Sequence, residues 1–158
     1  MVASVLILLG VTSGIFLQRY LDSASQSSAL SGAAGNQAVA TSENFILHVI
    51  SGEPDQMKRA LQKTRELLDA AEPGQYRQVE IVANEKGLNL LRSDITPYSD
   101  EISALSDESV IFYACAKAIE RLEEKGINVQ LVPEAIPGFT ALDRVVIRMK
   151  DGWNYIKI

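Results

Sequence analysis

The chain has 158 residues, 47% of them hydrophobic, and a net charge of −5, which is enough for one domain with its own core and too little for two ordinary ones. The acidic balance, with no Lys/Arg cluster, excludes nucleic acid as the main partner, because gripping phosphates gains from counterion release at a basic surface. One cysteine excludes an intrachain disulfide and a Cys-rich zinc or iron–sulfur site, and one histidine argues against a catalytic zinc, so no metal and no cofactor are expected.

Val2 to Leu17 form an apolar run, VASVLILLGVTSGIFL, closed by Gln18, Arg19 and Tyr20. It is slightly shorter than the roughly 20 residues that comfortably span a bilayer, and it also resembles the hydrophobic region of a signal peptide that lacks a basic start. Residues 22–42 are rich in Ser, Ala, Gly and Gln and hold almost no large apolar side chains, the composition of a flexible linker. The expected organisation is an anchor or signal segment at 1–21, a linker at 22–42 and a folded domain at 43–158. The protein is thus expected at a membrane through its single N-terminal segment, with export to the periplasm as the alternative.

Within the domain, residues 45–50 (FILHVI) read as a buried strand leading to a turn at Ser51-Gly52. From Pro54 the period becomes helical. Met57, Leu61, Leu67 and Leu68 share one face, and Pro73-Gly74 stops the helix. Residues 79–83 (VEIVA) form a second strand, 84–87 a loop, and Leu88, Leu90 and Leu91 begin a short helix. A further helical stretch carries Ile102 and Leu105. Residues 110–114 (VIFYA) read as a central strand running into Cys115 and a helix that turns Ala118, Ile119 and Leu122 inward. Residues 127–132 are expected as the fourth strand, 138–149 as a helix and 153–158 as the last strand. This alternation predicts an α/β fold with a mostly parallel five-stranded sheet covered by helices.

Sites in such sheets gather at the carboxyl ends of the strands. Cys115 stands at a strand end and a helix start, where backbone N–H groups favour an anion, the form in which a thiol is nucleophilic. That position implies partial exposure, and Lys117 adds positive charge if it points the same way. The alternative is an inert thiol packed as a small hydrophobe. His48, inside the first strand, is either a satisfied core histidine or a proton partner for the thiol or a substrate. Asn84 lies in a loop at the same edge and is a candidate substrate-binding residue together with Lys117. Gly52, Gly87 and Gly138 read as turn residues, and none belongs to a phosphate-binding motif.

His48-Val49, then VANEKG at Val82–Gly87, VIFYAC at Val110–Cys115, Val129–Pro133 and GWNYI at Gly152–Ile156 follow one another across nearly all of residues 43–158. In order and spacing they resemble the DsrE/DsrF-like family of intracellular sulfur relay. The resemblance implies a three-layer, flavodoxin-like fold with helices on both faces of the sheet, and assembly into homotrimers or hexamers. In sulfurtransferase members it also implies a cysteine that carries sulfur as a persulfide, a role that maps onto Cys115. The partners would be a sulfur donor or acceptor protein or a small sulfur compound. The rival expectation is a non-catalytic oligomeric binding or scaffold module at a membrane, with Cys115 structural.

Overall fold

Ten elements follow one another in the computed structural model, which describes residues 43–158; the expectations for 1–21 and 22–42 fall outside the described residues. They are β1 (Phe45–Val49), α1 (Pro54–Asp69), β2 (Val79–Ala83), a 3-10 helix (Glu85–Leu91), α2 (Ser99–Asp107), β3 (Ile111–Ala114), α3 (Ala116–Glu123), β4 (Ala135–Pro137), α4 (Ala141–Lys150) and β5 (Asn154–Lys157). The strands form one sheet in the order β4-β3-β2-β1-β5, every neighbouring pair parallel. This is the expected α/β, flavodoxin-like three-layer architecture. Among the described residues no helix is long and apolar enough to cross a membrane.

Local chemistry accounts for the elements. Pro54 opens α1 where its missing N–H costs nothing, Asp55 sits in the positive first turn, and Met57, Ala60, Leu61, Thr64 and Leu67 form the buried face. β2 is the middle strand, and all five of its residues are buried. The segment expected as a loop at 84–87 instead begins the 3-10 helix, with the Asn84 side chain accepting from the Glu85 N–H at 2.8 Å.

Handedness distributes the helices. The connections β1–β2, β2–β3 and β3–β4 all step the same way across the sheet, and right-handed crossovers put their helices on one face. The return from β4 to β5 steps the other way, which puts α4 on the second face, against β1 and β2. By the strand register, Leu47, Val49, Ile81, Ala83, Phe112 and Ala114 point to the first face. Ile46, His48, Glu80, Val82, Tyr113, Ile136 and Tyr155 point to the second.

The fourth strand is not where the sequence suggested. Residues 127–132 form no strand; Leu131 makes one isolated antiparallel bridge to Arg92, and the Val132 N–H donates to the Leu91 carbonyl. The apolar side chains of this run, buried Val132 and part-buried Val129 and Leu131, pack onto the core instead of entering the sheet. Ala135–Pro137 occupies the sheet position, pairing Ala135 with Phe112. An outer strand needs backbone partners on one side only, so three residues suffice there.

Candidate functional site

The connection after β3 leaves towards the first face and the connection after β4 towards the second, so the carboxyl ends of these two strands are a topological switch point of the sheet. In open parallel sheets this is where ligands and reactive groups collect. Cys115 stands there. Its N–H donates to the Ala83 carbonyl at 3.0 Å, continuing the β3 ladder, and its own carbonyl accepts from Ala118 and Ile119 as the first turn of α3 closes. The sulfur accepts the N–H of Ala141, the first residue of α4, at 3.3 Å. The thiol therefore lies between the starts of two helices, and its one hydrogen bond is of the kind that strengthens when the acceptor carries negative charge.

The expected partial exposure of the thiol is not observed: Cys115 is 3% exposed. The cover is the turn from Gly138 to Thr140, which the sequence places far downstream. The Phe139 carbonyl accepts the Ala116 N–H at 3.0 Å, and the Phe139 ring meets Tyr113 edge-on at 6.1 Å. Gly138, at φ 147°, supplies a backbone angle closed to other residues. Thr140 caps α4, its hydroxyl accepting from the Asp143 N–H at 3.2 Å.

The other sequence-derived residues do not converge on the sulfur. His48 is on β1 with β2 between it and β3, and its Nδ1 lies 3.2 Å from the Tyr155 hydroxyl on β5. Among the described residues its buried Nε2 has no hydrogen-bond partner. Burial, and then the nearby positive charge of Lys157, hold the imidazole below its ordinary range, while Glu85 pulls the other way. Lys117 is an exposed residue of α3 whose ammonium pairs with Glu120, and that hydrogen bond raises its pKa. Asn84 is committed to its cap, and its N–H donates to the Val49 carbonyl at 2.8 Å. Gly52 and Gly87 serve close approach rather than turn angles. A Cβ on Gly87 would stand 2.2 Å from the Val49 carbonyl oxygen, and one on Gly52 would stand 2.7 Å from that of Lys86.

A polar cluster under α4 is the feature that pattern reading missed. Glu80, fully buried in β2, receives Arg144 Nε at 2.8 Å and Nη2 at 2.6 Å, and Arg148 Nε at 3.0 Å and Nη2 at 2.6 Å. Arg144 also donates to the Tyr113 hydroxyl at 2.7 Å and lies over the Tyr113 ring at 4.1 Å. Arg148 lies over Trp153 at 4.4 Å and pairs with Asp151. Burial of Glu80 and Arg144, with Arg148 part-buried beside them, is tolerable only with such pairing, and the directional bonds fix the position of α4 on the sheet. The position of the Ala141 N–H over Cys115 follows from it. The available signal was a glutamate inside an apolar strand together with two arginines four residues apart on the last helix.

Among the described residues no group of three or more His, Cys, Asp or Glu is placed to hold a metal ion. A shallow depression of about 280 Å³ beside Gln78, Ser109 and Glu134 opens near the amino ends of β2 and β3, away from the sulfur.

No protein-family model matches the chain, and no curated protein matches it significantly. Among solved structures it is similar to MTH1491, a protein of unknown function from Methanobacterium thermoautotrophicum. That similarity has 25% identity and a TM-score of 0.64, over 73% of this chain and 99% of that one. It is also similar to BT1422, a conserved protein of unknown function from Bacteroides thetaiotaomicron (13% identity, TM-score 0.46, 77% and 100% covered). A third similarity is to the YchN protein of E. coli (12% identity, TM-score 0.44, 73% and 99% covered).

Proposed function

We propose that the protein is a DsrE/DsrF-like sulfur-relay protein that carries sulfur as a persulfide on Cys115. The observation that carries this reading is the placement of Cys115 at the carboxyl end of β3 and the start of α3, its sulfur bonded to the first N–H of α4. The Cys115 thiolate attacks the outer sulfur of a donor persulfide. A bond forms from Sγ to that sulfur, the donor's S–S bond breaks, and the donor leaves as a thiolate that takes up the proton. An acceptor thiolate then attacks the outer sulfur of the Cys115 persulfide, and the Cys115 thiolate is the leaving group. Each step exchanges one S–S bond for another, so no external oxidant or reductant is consumed, and a single cysteine suffices. In the same reading the apolar run of residues 2–17 holds the domain at a membrane through the 22–42 linker.

The test is an intact mass after polysulfide treatment of the full chain. The expected result is a gain of one sulfur atom that is absent in Cys115→Ser, with the full chain recovered in the membrane fraction of cells. An unchanged mass, together with no alkylation of the folded chain by iodoacetamide, would leave Cys115 as a packing residue and end the relay reading.

A further inference from the structure

Among the described residues three helices end in the same hydrogen-bonded stop, and one of them departs from the others. After α3 the N–H of Gly126 donates to the Glu123 carbonyl and that of Ile127 to the Leu122 carbonyl, with Gly126 at φ 78°. After α4 the N–H of Gly152 donates to Met149 and that of Trp153 to Arg148, with Gly152 at φ 84°. These are Schellman motifs, in which glycine takes the left-handed angle without steric cost. After α2 the same pair of bonds runs from Ser109 to Ser106 at 2.9 Å and from Val110 to Leu105 at 3.0 Å, yet the turning residue is Ser109 at φ 71°. The fold alone would favour glycine there. Strain kept at one such position points to function when it borders a binding surface. Ser109 borders one, since it lines the depression of about 280 Å³ with Tyr76, Gln78, Ser106, Glu134 and Ile136.

The depression collects negative charge and has no Lys, Arg or His in its lining. Glu134 is part-buried, and among the described residues its carboxylate meets neither a cation nor a hydrogen-bond donor. Ser106 and Ser109 belong to the carboxyl end of α2, the negative end of its dipole, and the last turn of that helix has no basic residue to offset it. Tyr76, 61% exposed, offers the face of an aromatic ring, and exposed Ile136 an apolar wall. A carboxylate, a helix carboxyl end and an aromatic face all favour positive charge, and the apolar wall favours a hydrocarbon stem. The volume lies just below the roughly 300–1,000 Å³ of drug-sized sites, which suits a ligand of side-chain size. We propose that this depression binds a primary ammonium group on a short alkyl stem. The Glu134 carboxylate and the Ser109 hydroxyl accept its N–H bonds, and the stem lies along Tyr76 and Ile136. Such a group comes from a free alkyl amine or from a lysine side chain of another protein. The site opens near the amino ends of β2 and β3, away from Cys115, and does not depend on sulfur transfer.

The test is calorimetric titration of the full chain, in a mild nonionic detergent, with 1,4-diaminobutane and with a blocked Ala-Lys-Ala peptide. Saturable binding of at least one probe at millimolar concentration or below is expected, and the probe that binds more tightly identifies the source of the ammonium group. Glu134→Gln is expected to weaken binding about tenfold by removing the charge from the hydrogen bond. Ser109→Gly is expected to weaken it about threefold while raising the urea midpoint, because it removes one acceptor and the backbone strain together. Absence of binding by both probes, equal binding of uncharged 1,4-butanediol, or an unchanged Kd in Glu134→Gln overturns the proposal. So does a Ser109→Gly chain that keeps its full affinity, which would leave the serine without a role in the site.

Discussion

Among the described residues three α-helices and the 3-10 helix cover the first face of the sheet and one α-helix covers the second, and the two contacts are made of different materials. On the first face Leu47, Val49, Ile81 and Phe112 are wholly buried under apolar side chains, so the contact is dispersive and non-directional. On the second face α4 is held through the Glu80 carboxylate and two guanidinium groups, a contact with strict geometry. The difference shows why α4 can leave Leu142, Val146 and Met149 exposed: its attachment to the sheet does not use them. Only Ala141 and Val145 add apolar burial to the inner side of this helix.

Removing one member of the ionic contact separates the faces most sharply. Glu80→Leu strands Arg144 and Arg148 against the sheet and is expected to lower the unfolding free energy by about 3–5 kcal/mol. Adding Arg144→Met and Arg148→Leu is expected to return most of the loss, because an apolar contact of similar volume replaces the whole ionic one. On the first face Phe112→Ala is expected to cost a similar 3–5 kcal/mol or so through its cavity, with no repair by changing charge elsewhere. Urea midpoints read all three, and a Glu80→Leu loss well under the Phe112→Ala loss would show that α4 is held by something other than its ions.

A smaller effect tests the turn between the faces. Thr140→Ala removes the hydroxyl that accepts the Asp143 N–H and is expected to cost about 1 kcal/mol. Because the same residue anchors the cover of Cys115, iodoacetamide should label the folded variant faster than the wild type. An unchanged labelling rate would mean that the turn is not what limits access.

The smallest effect belongs to His48, at the rim of the second face. Burial lowers its pKa from 6.5 in the folded chain. As pH falls through that ordinary value the unfolded chain takes up the proton first, so stability declines with falling pH until the lower, folded value is passed. His48→Gln should flatten this decline, measured as urea midpoints on either side of 6.5. An identical pH dependence in the variant would show that His48 does not titrate across unfolding.

How far the sequence disclosed this arrangement depended on how local the cause was. β1, α1, β2 and the β3–Cys115–α3 junction were legible because the change between strand and helix period is written in adjacent residues. The placement of β4 was not, since three residues that pair through their backbone leave no side-chain pattern. The β-branched run at 127–132 had the pattern because it packs onto the core outside the sheet. Cys115 was read at the strand end where it lies, but the Ala141 N–H that meets its sulfur comes from another connection. The Glu80 cluster joins residues 64 and 68 positions apart, and no window of sequence contains both ends.

The short fourth strand has a consequence for how copies can meet. β4 ends in Pro137, which has no N–H, and its outward side offers only a three-residue template to any approaching strand. Recruitment of a foreign strand here would gain few backbone bonds, so the protein cannot readily lengthen its sheet on this side into a continuous ribbon. Closing this route to open-ended stacking leaves side-chain contacts, which can be specific and finite, as the safe means of association.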